Sequence, residues 1–163
     1  MDFEIIRKVL ESDNVQEAEN ILEEIGEKKQ KNCIQLLIDH LKNTDNHRLR
    51  NAIAITLSDI GSEEAIEPLR EMINDPKTLG SRGTLFYALT PFDCSAHLEV
   101  LVHHLLTGNF EVQANSFRLI EKNINSDVKD EVILKCILKV NEELYGHKRL
   151  QDILSDALEI LTS

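Results

Sequence analysis

Leu49-Arg50-Asn51-Ala52-Ile53-Ala54-Ile55-Thr56-Leu57-Ser58-Asp59-Ile60-Gly61, running on into Ser62-Glu63-Glu64-Ala65-Ile66-Glu67-Pro68-Leu69-Arg70, decides the fold of this 163-residue chain. Small and apolar residues recur through it at the i, i+3, i+4 spacings of one buried helical stripe. Gly61 stands where such a helix ends, because glycine takes positive φ without a Cβ clash. Ser62 is a capping residue by type, and Pro68 falls in the first turn of the next helix, where a missing N–H costs little. The stretch reads as helix, tight turn, helix.

Laid over the rest of the chain, Leu57 finds counterparts in Leu22, Leu89, Ile120 and Leu158, separated by 35, 32, 31 and 38 residues. One position earlier stand Ile21, Thr56, Ala88, Leu119 and Ala157, and four positions earlier Ala18, Ile53, Leu85, Ser116 and Leu154. A stripe repeated at this period belongs to hairpins that cannot bury their faces alone and must stack on neighbours. Five first helices fall between these second helices, at Phe3–Glu11, Lys31–Lys42, Ala65–Ile73, His97–Leu106 and Val128–Leu144. Their stripes are apolar too, as in Ile34, Leu37, Ile38 and Leu41, or Leu98, Leu101, Val102 and Leu105, or Val132, Ile133, Cys136, Ile137 and Val140. Asp13-Asn14, Asp45-Asn46 and Gly108-Asn109 occupy corresponding turns, Gly26, Gly61 and Gly146 are expected helix ends, and Asp93 or Ser95 and Ser126 or Asp127 are candidate caps. The third unit is the least regular. Its link, Asn74 to Gly83, carries one Pro and two Gly, and Thr90-Pro91 ends its second helix early, so a bend or widened gap is expected there.

With Asp45 upstream, the Leu49-Arg50 pair, the small residues, Leu57 and Ile60-Gly61 closely resemble the HEAT-repeat pattern. The resemblance implies an all-α chain, an α-α superhelix of about five antiparallel hairpins forming a single domain over residues 1–163. It also implies that the second helices line the side facing a partner.

Composition limits the function. Acids number 29 against 18 bases, a formal charge of −11, which argues against nucleic acid as a direct ligand because phosphate binding runs on Lys and Arg. From Asp59 to Asp75 there are six acids and one base, Arg70, read either as a solvated face or as a surface attracting a basic partner. No apolar run is long enough for a membrane span, and Met1-Asp2-Phe3-Glu4 lacks the features of a secretory signal, so a cytoplasmic location is expected. Cys33, Cys94 and Cys136 are far apart with no C-x-x-C pair, and Cys33 and Cys136 fall in apolar stripes, so all three read as reduced thiols.

Catalytic and metal motifs are missing from the sequence. His97 and His104 are seven apart on one helix, too far to share an ion without help, and His103, His40 and His47 bring no partner motif. Gly80-Ser81-Arg82-Gly83 reads as an inter-helix link rather than an anion-binding turn, and Glu23-Glu24, Glu63-Glu64 and Glu142-Glu143 are adjacent residues that diverge on a helix. No cofactor is expected.

Surface remains. Two positions before the Leu column stand Asn20, Ile55, Tyr87, Arg118 and Asp156; two after it stand Glu24, Asp59, Pro91, Lys122 and Ile160. Three before it stand Glu19, Ala54, Phe86, Phe117 and Ser155, where Phe86 and Phe117 read as core. Tyr87 is the best anchor, being amphipathic in a mostly polar column, while Arg82 and Arg118 can pair with the chain's own acids. The small, acidic, HEAT-type chain is similar to bacterial immunity proteins of contact-dependent growth-inhibition systems, whose partner is a basic nuclease toxin domain. That likeness implies a monomer that forms a heterodimer over the toxin's nucleic-acid-binding or active-site surface. The candidate contacts are Glu19, Glu23, Glu24, Asp59, Tyr87, Arg118, Asp152 and Asp156. A generic scaffold or adaptor is the alternative, and a HEAT-like enzyme such as a bilin lyase a more distant one; HEAT-like DNA glycosylases need a basic groove and aromatics that this chain lacks.

Overall fold

The computed structural model describes residues 3–12, 14–125 and 127–162; beyond residue 148 it describes the side chains of Asp152 and Ile160 only. Asp13 and Ser126, and the side chains of Leu154, Ser155, Asp156, Ala157 and Leu158, lie outside the described residues. The described residues hold helices and no strand: α1 (Phe3–Leu10), α2 (Val15–Glu27), α3 (Ile34–Asn43), α4 (His47–Ile60), α5 (Ile66–Asn74), α6 (Gly83–Ala88), α7 (Leu98–Thr107), α8 (Phe110–Asn123) and α9 (Asp130–Thr162).

Neighbouring helices pair as hairpins, α1 with α2, α3 with α4, α5 with α6 and α7 with α8. The even-numbered helices stack in one unbroken layer, α2 on α4 on α6 on α8. Opposite them α3 packs on α5 and α7 on α9, whereas the α5–α7 step is loose, which places the expected gap at the third unit. This is an all-α solenoid, with one core cluster running from Ile6 to Leu119 between the layers. Leu22, Leu57 and Leu89, and Ala18, Ile53, Leu85 and Ser116, are all buried, so the sequence columns are the core.

Turn chemistry repeats with the units. Asn14, Asn46 and Asn109 cap α2, α4 and α8, their side-chain oxygens accepting from the N–H groups of Glu17 (3.2 Å), of Arg48 and Leu49 (3.0 and 3.1 Å) and of Val112 (3.0 Å). The corresponding place in the third unit belongs to Thr78. Its hydroxyl instead donates to the Met72 carbonyl (2.7 Å) and accepts from Arg82 Nε (3.1 Å), which leaves α6 uncapped and six residues long. Asp93, not Ser95, is the capping acceptor before α7, taking the Ser95 N–H at 2.9 Å; that bond holds its carboxyl below the ordinary range.

Of the three expected glycine ends, Gly61 alone behaves as expected, closing α4 at φ 72° with its N–H on the Leu57 carbonyl. After α2 the positive φ falls on Lys29, and Gly26 serves packing: a Cβ there would stand 3.2 Å from Asp59 Oδ2 on α4. Gly146 ends nothing. The stretches on either side of it are rich in Leu, Glu and Lys, and one glycine costs a helix only about 1 kcal/mol, so α9 runs through it for 33 residues. The fifth hairpin expected from the sequence is therefore one long helix, packed on α7 through Val132, Ile133, Cys136 and Val140.

Of the pattern's elements, Leu49 and Arg50 are buried, while Asp45 is exposed. Arg50 is 1% exposed, donates Nη2 to the Thr44 carbonyl and lies in the field of the Asp45 and Asp75 carboxylates. Arg82, its counterpart one unit on, donates Nη2 to the Asp75 carbonyl at 3.0 Å. It thus bonds backbone and a hydroxyl rather than the acidic side chain expected. All three cysteines are free and buried, and burial pushes their thiols up, Cys94 to about 11.

Candidate protein-binding face

Because the core columns of α2, α4, α6 and α8 point inward, the columns two positions to either side emerge on the outer face of that layer. Tyr87 is 57% exposed there, with Asp59, Pro91 and Arg118 also exposed and Ile55 half-buried. Asp59, Ile55 and Tyr87 share an open groove of about 620 Å³ between α2, α4 and α6, floored by Gly26 and Ser58 and walled by Glu27, Lys29, Thr90 and Pro91. A second hollow of about 350 Å³, lined by Glu19, Arg48, Asn51 and Thr84, meets it at Ile55. Ile55 was visible as the apolar member of a polar column, but its role as the shared wall depends on how α4 packs against α6.

The candidate contacts separate by what already engages them. Glu19 is held in a two-pronged pair with Arg48, Nε to Oε1 at 2.6 Å and Nη2 to Oε2 at 2.5 Å, and that bond keeps its carboxyl below the ordinary range. Glu24 pairs with Lys28 at 2.5 Å. Glu23 and Asp59 are exposed with no ion pair among the described residues, and Arg118 on α8 is likewise unpaired instead of bound to the chain's own acids. Lys122, beside it, donates to the Thr90 and Phe92 carbonyls at the end of α6. Asp152 is exposed on α9, away from the even-numbered layer, and the Asp156 side chain lies outside the described residues. The face therefore carries acids at α2 and α4 with Lys29 and Arg48 among them, apolar Ile55 and Tyr87 in the middle, and Arg118 and Lys122 at α8.

The acid-rich run from Asp59 to Asp75 forms no single surface, because it crosses the turn from α4 to α5. Glu64 accepts from Gln35 (2.9 Å), Glu67 pairs with Arg70 (2.7 Å) and His97 (3.3 Å), and Glu71 pairs with Lys42 (2.5 Å). His97 and His104 also diverge: His104 is buried edge-on to Phe86, with Nε2 3.1 Å from Asn74 Oδ1. Among the described residues no three His, Cys, Asp or Glu side chains converge on a point that could hold a metal. Phe86 is core as expected, but Phe117 is 56% exposed. Its counterparts Ala54 and Phe86 are both buried, Phe86 edge-on to His104.

A family model of HEAT repeats matches residues 3–90, just over half of the chain. The chain belongs to the HEAT-repeat family. The match covers the hairpins from α1 to the end of α6 and so includes Asp59 and Tyr87 and all of the groove but Pro91. HEAT repeats generally mediate protein–protein interactions, and this HEAT-repeat chain is accordingly a protein-interaction scaffold. No curated protein and no solved structure matches it. No helix among the described residues is long and apolar enough to cross a membrane.

Proposed function

We propose that this HEAT-repeat scaffold binds a basic protein across the outer face of its even-numbered helices, and that the partner is a nuclease toxin domain for which the chain is the immunity protein. The carrying observation is the groove in which the unpaired Asp59 carboxylate and the exposed Tyr87 ring flank Ile55. A carboxylate beside an aromatic ring suits a Lys or Arg head group, which gains charge and cation–π attraction together. The apolar wall gives the desolvated centre that carries most of an interface's binding energy. Net charge of −11 adds long-range attraction to a basic partner and speeds its association. Bound there, the chain would stand over the surface on which the partner takes phosphates, and inhibition would follow from occlusion without any reaction. Catalysis has no part in this reading.

Co-expression with the protein encoded directly upstream tests it. The two should copurify, the partner's nuclease activity should fall on complex formation, and association should slow at least tenfold between 50 mM and 500 mM salt. No complex would contradict the immunity reading. A complex that forms at a salt-independent rate and leaves the partner's activity intact would favour a general adaptor.

A further inference from the structure

Among the described residues, α8 and α9 leave an apolar surface uncovered. Phe117 on α8 and Leu134, Ile137, Leu138, Leu144 and Tyr145 on α9 are each between 50% and 72% exposed. These residues mark where one more helix would stack, because Ala54 and Phe86, the counterparts of Phe117 in α4 and α6, are both buried. A first helix packed on α7 along one side and bare along the next is half of a hairpin.

The sequence after Gly146 has the register of the missing half. Leu150, Leu154, Ala157, Leu158 and Leu161 stand at the same intervals as Leu49, Ile53, Thr56, Leu57 and Ile60 of α4, all five of which are buried. Charges mirror about the Tyr145-Gly146 bond: Glu143 and Lys148, Glu142 and Arg149, Lys139 and Asp152, and Lys135 and Asp156 are equidistant from it and opposite in sign. An antiparallel return at that point sets each beside its complement. Gly146 has no packing role in the continuous helix, since nothing lies within 4 Å of where its Cβ would be. In a turn it would have one.

We propose that α9 is a two-state element hinged at Gly146, in which residues 147–162 fold back over the Phe117 and Leu134–Tyr145 surface and complete a fifth hairpin that caps the solenoid. The continuous helix is the open state and the hairpin the closed one, with the same sequence serving both. In the open state two copies would each expose the same place, so exchange of the segment between chains is the competing arrangement. The inference stands apart from the choice of partner for the Tyr87 groove.

Nitroxide labels at Glu131→Cys and Asp152→Cys, both exposed positions, test it in the full chain by electron–electron resonance, with the unsubstituted protein reporting any labelling of its buried cysteines. The labels stand about 30 Å apart along a continuous helix and below about 20 Å in the hairpin. The expected result is a majority short-distance population that survives tenfold dilution with unlabelled protein. Gly146→Ala should lower the ratio of short to long distances at least about fivefold, as alanine favours the unbroken helix. A single population near 30 Å would overturn the proposal, as would a short distance lost on dilution, which would make a second copy the occupant. A ratio unchanged by Gly146→Ala would overturn the hinge.

Discussion

Arg50→Ala should destabilise the fold by about 3–4 kcal/mol, lowering the thermal midpoint by roughly 10 °C. Arg50 is among the largest fully buried side chains, lying between the layers with Nη2 on the Thr44 carbonyl. Alanine removes its packing, opens a cavity and leaves that carbonyl without its donor. The charge itself contributes less than its burial suggests: Nε has no hydrogen-bond partner, and desolvation pulls the guanidinium's pKa down against the Asp45 and Asp75 fields. Arg50→Met, which keeps most of the volume, should therefore cost only about 1–2 kcal/mol. Arg118→Ala, at an exposed and unpaired arginine, should stay within about 0.5 kcal/mol. Thermal unfolding followed by circular dichroism separates the three, and equal losses at all of them would refute the assignment of Arg50 as the internal tie.

Acid should expose the second weak point, His104. Burial first, then the neighbouring His103, Arg82 and Lys139 charges, push its pKa down from 6.5 to about 4. Neutral in the folded chain, its ring can donate Nε2–H to Asn74 Oδ1 while packing edge-on to Phe86. The unfolded chain takes up a proton near pH 6.5 and the folded chain only near pH 4. The stabilisation is thus complete above pH 6.5 and lost as the pH falls toward 4, a change of about 2–3 kcal/mol. His104→Gln has no proton to take up over that range. Its stability deficit relative to the parent, measured by denaturant titration, should narrow by that amount between pH 7 and pH 4, and a constant deficit would show that His104 does not titrate differently in the two states.

The fold was readable because each repeat obeys the same local rules. Leu22, Leu57 and Leu89 recur at intervals of 35 and 32 residues, Asn14, Asn46 and Asn109 begin second helices, and Gly61 supplies a left-handed end. Reading failed where a residue type has two uses. Gly26 and Gly146 look like Gly61 in sequence, yet one admits a neighbouring helix and the other lies inside α9. The candidate face was half readable: Asp59 and Tyr87 were singled out from their columns, and that they line one groove depends on how α2, α4 and α6 pack. That Glu19 is tied to Arg48, 29 residues away, depends on the rotation of α2 against α4, which no local pattern encodes. Acid runs mislead for a related reason, since linear density says nothing about which side of a turn each carboxylate leaves from.

The affinity of the copurified partner for Tyr87→Ala tests the central claim most directly. Tyr87 lies on the outer face and contributes little to the core, so the variant should keep the parent's unfolding midpoint. Its dissociation constant, measured by calorimetry, should rise at least about thirtyfold, as expected of a central aromatic anchor. Unchanged affinity in a variant that folds as the parent does would place the partner elsewhere on the solenoid and contradict the account.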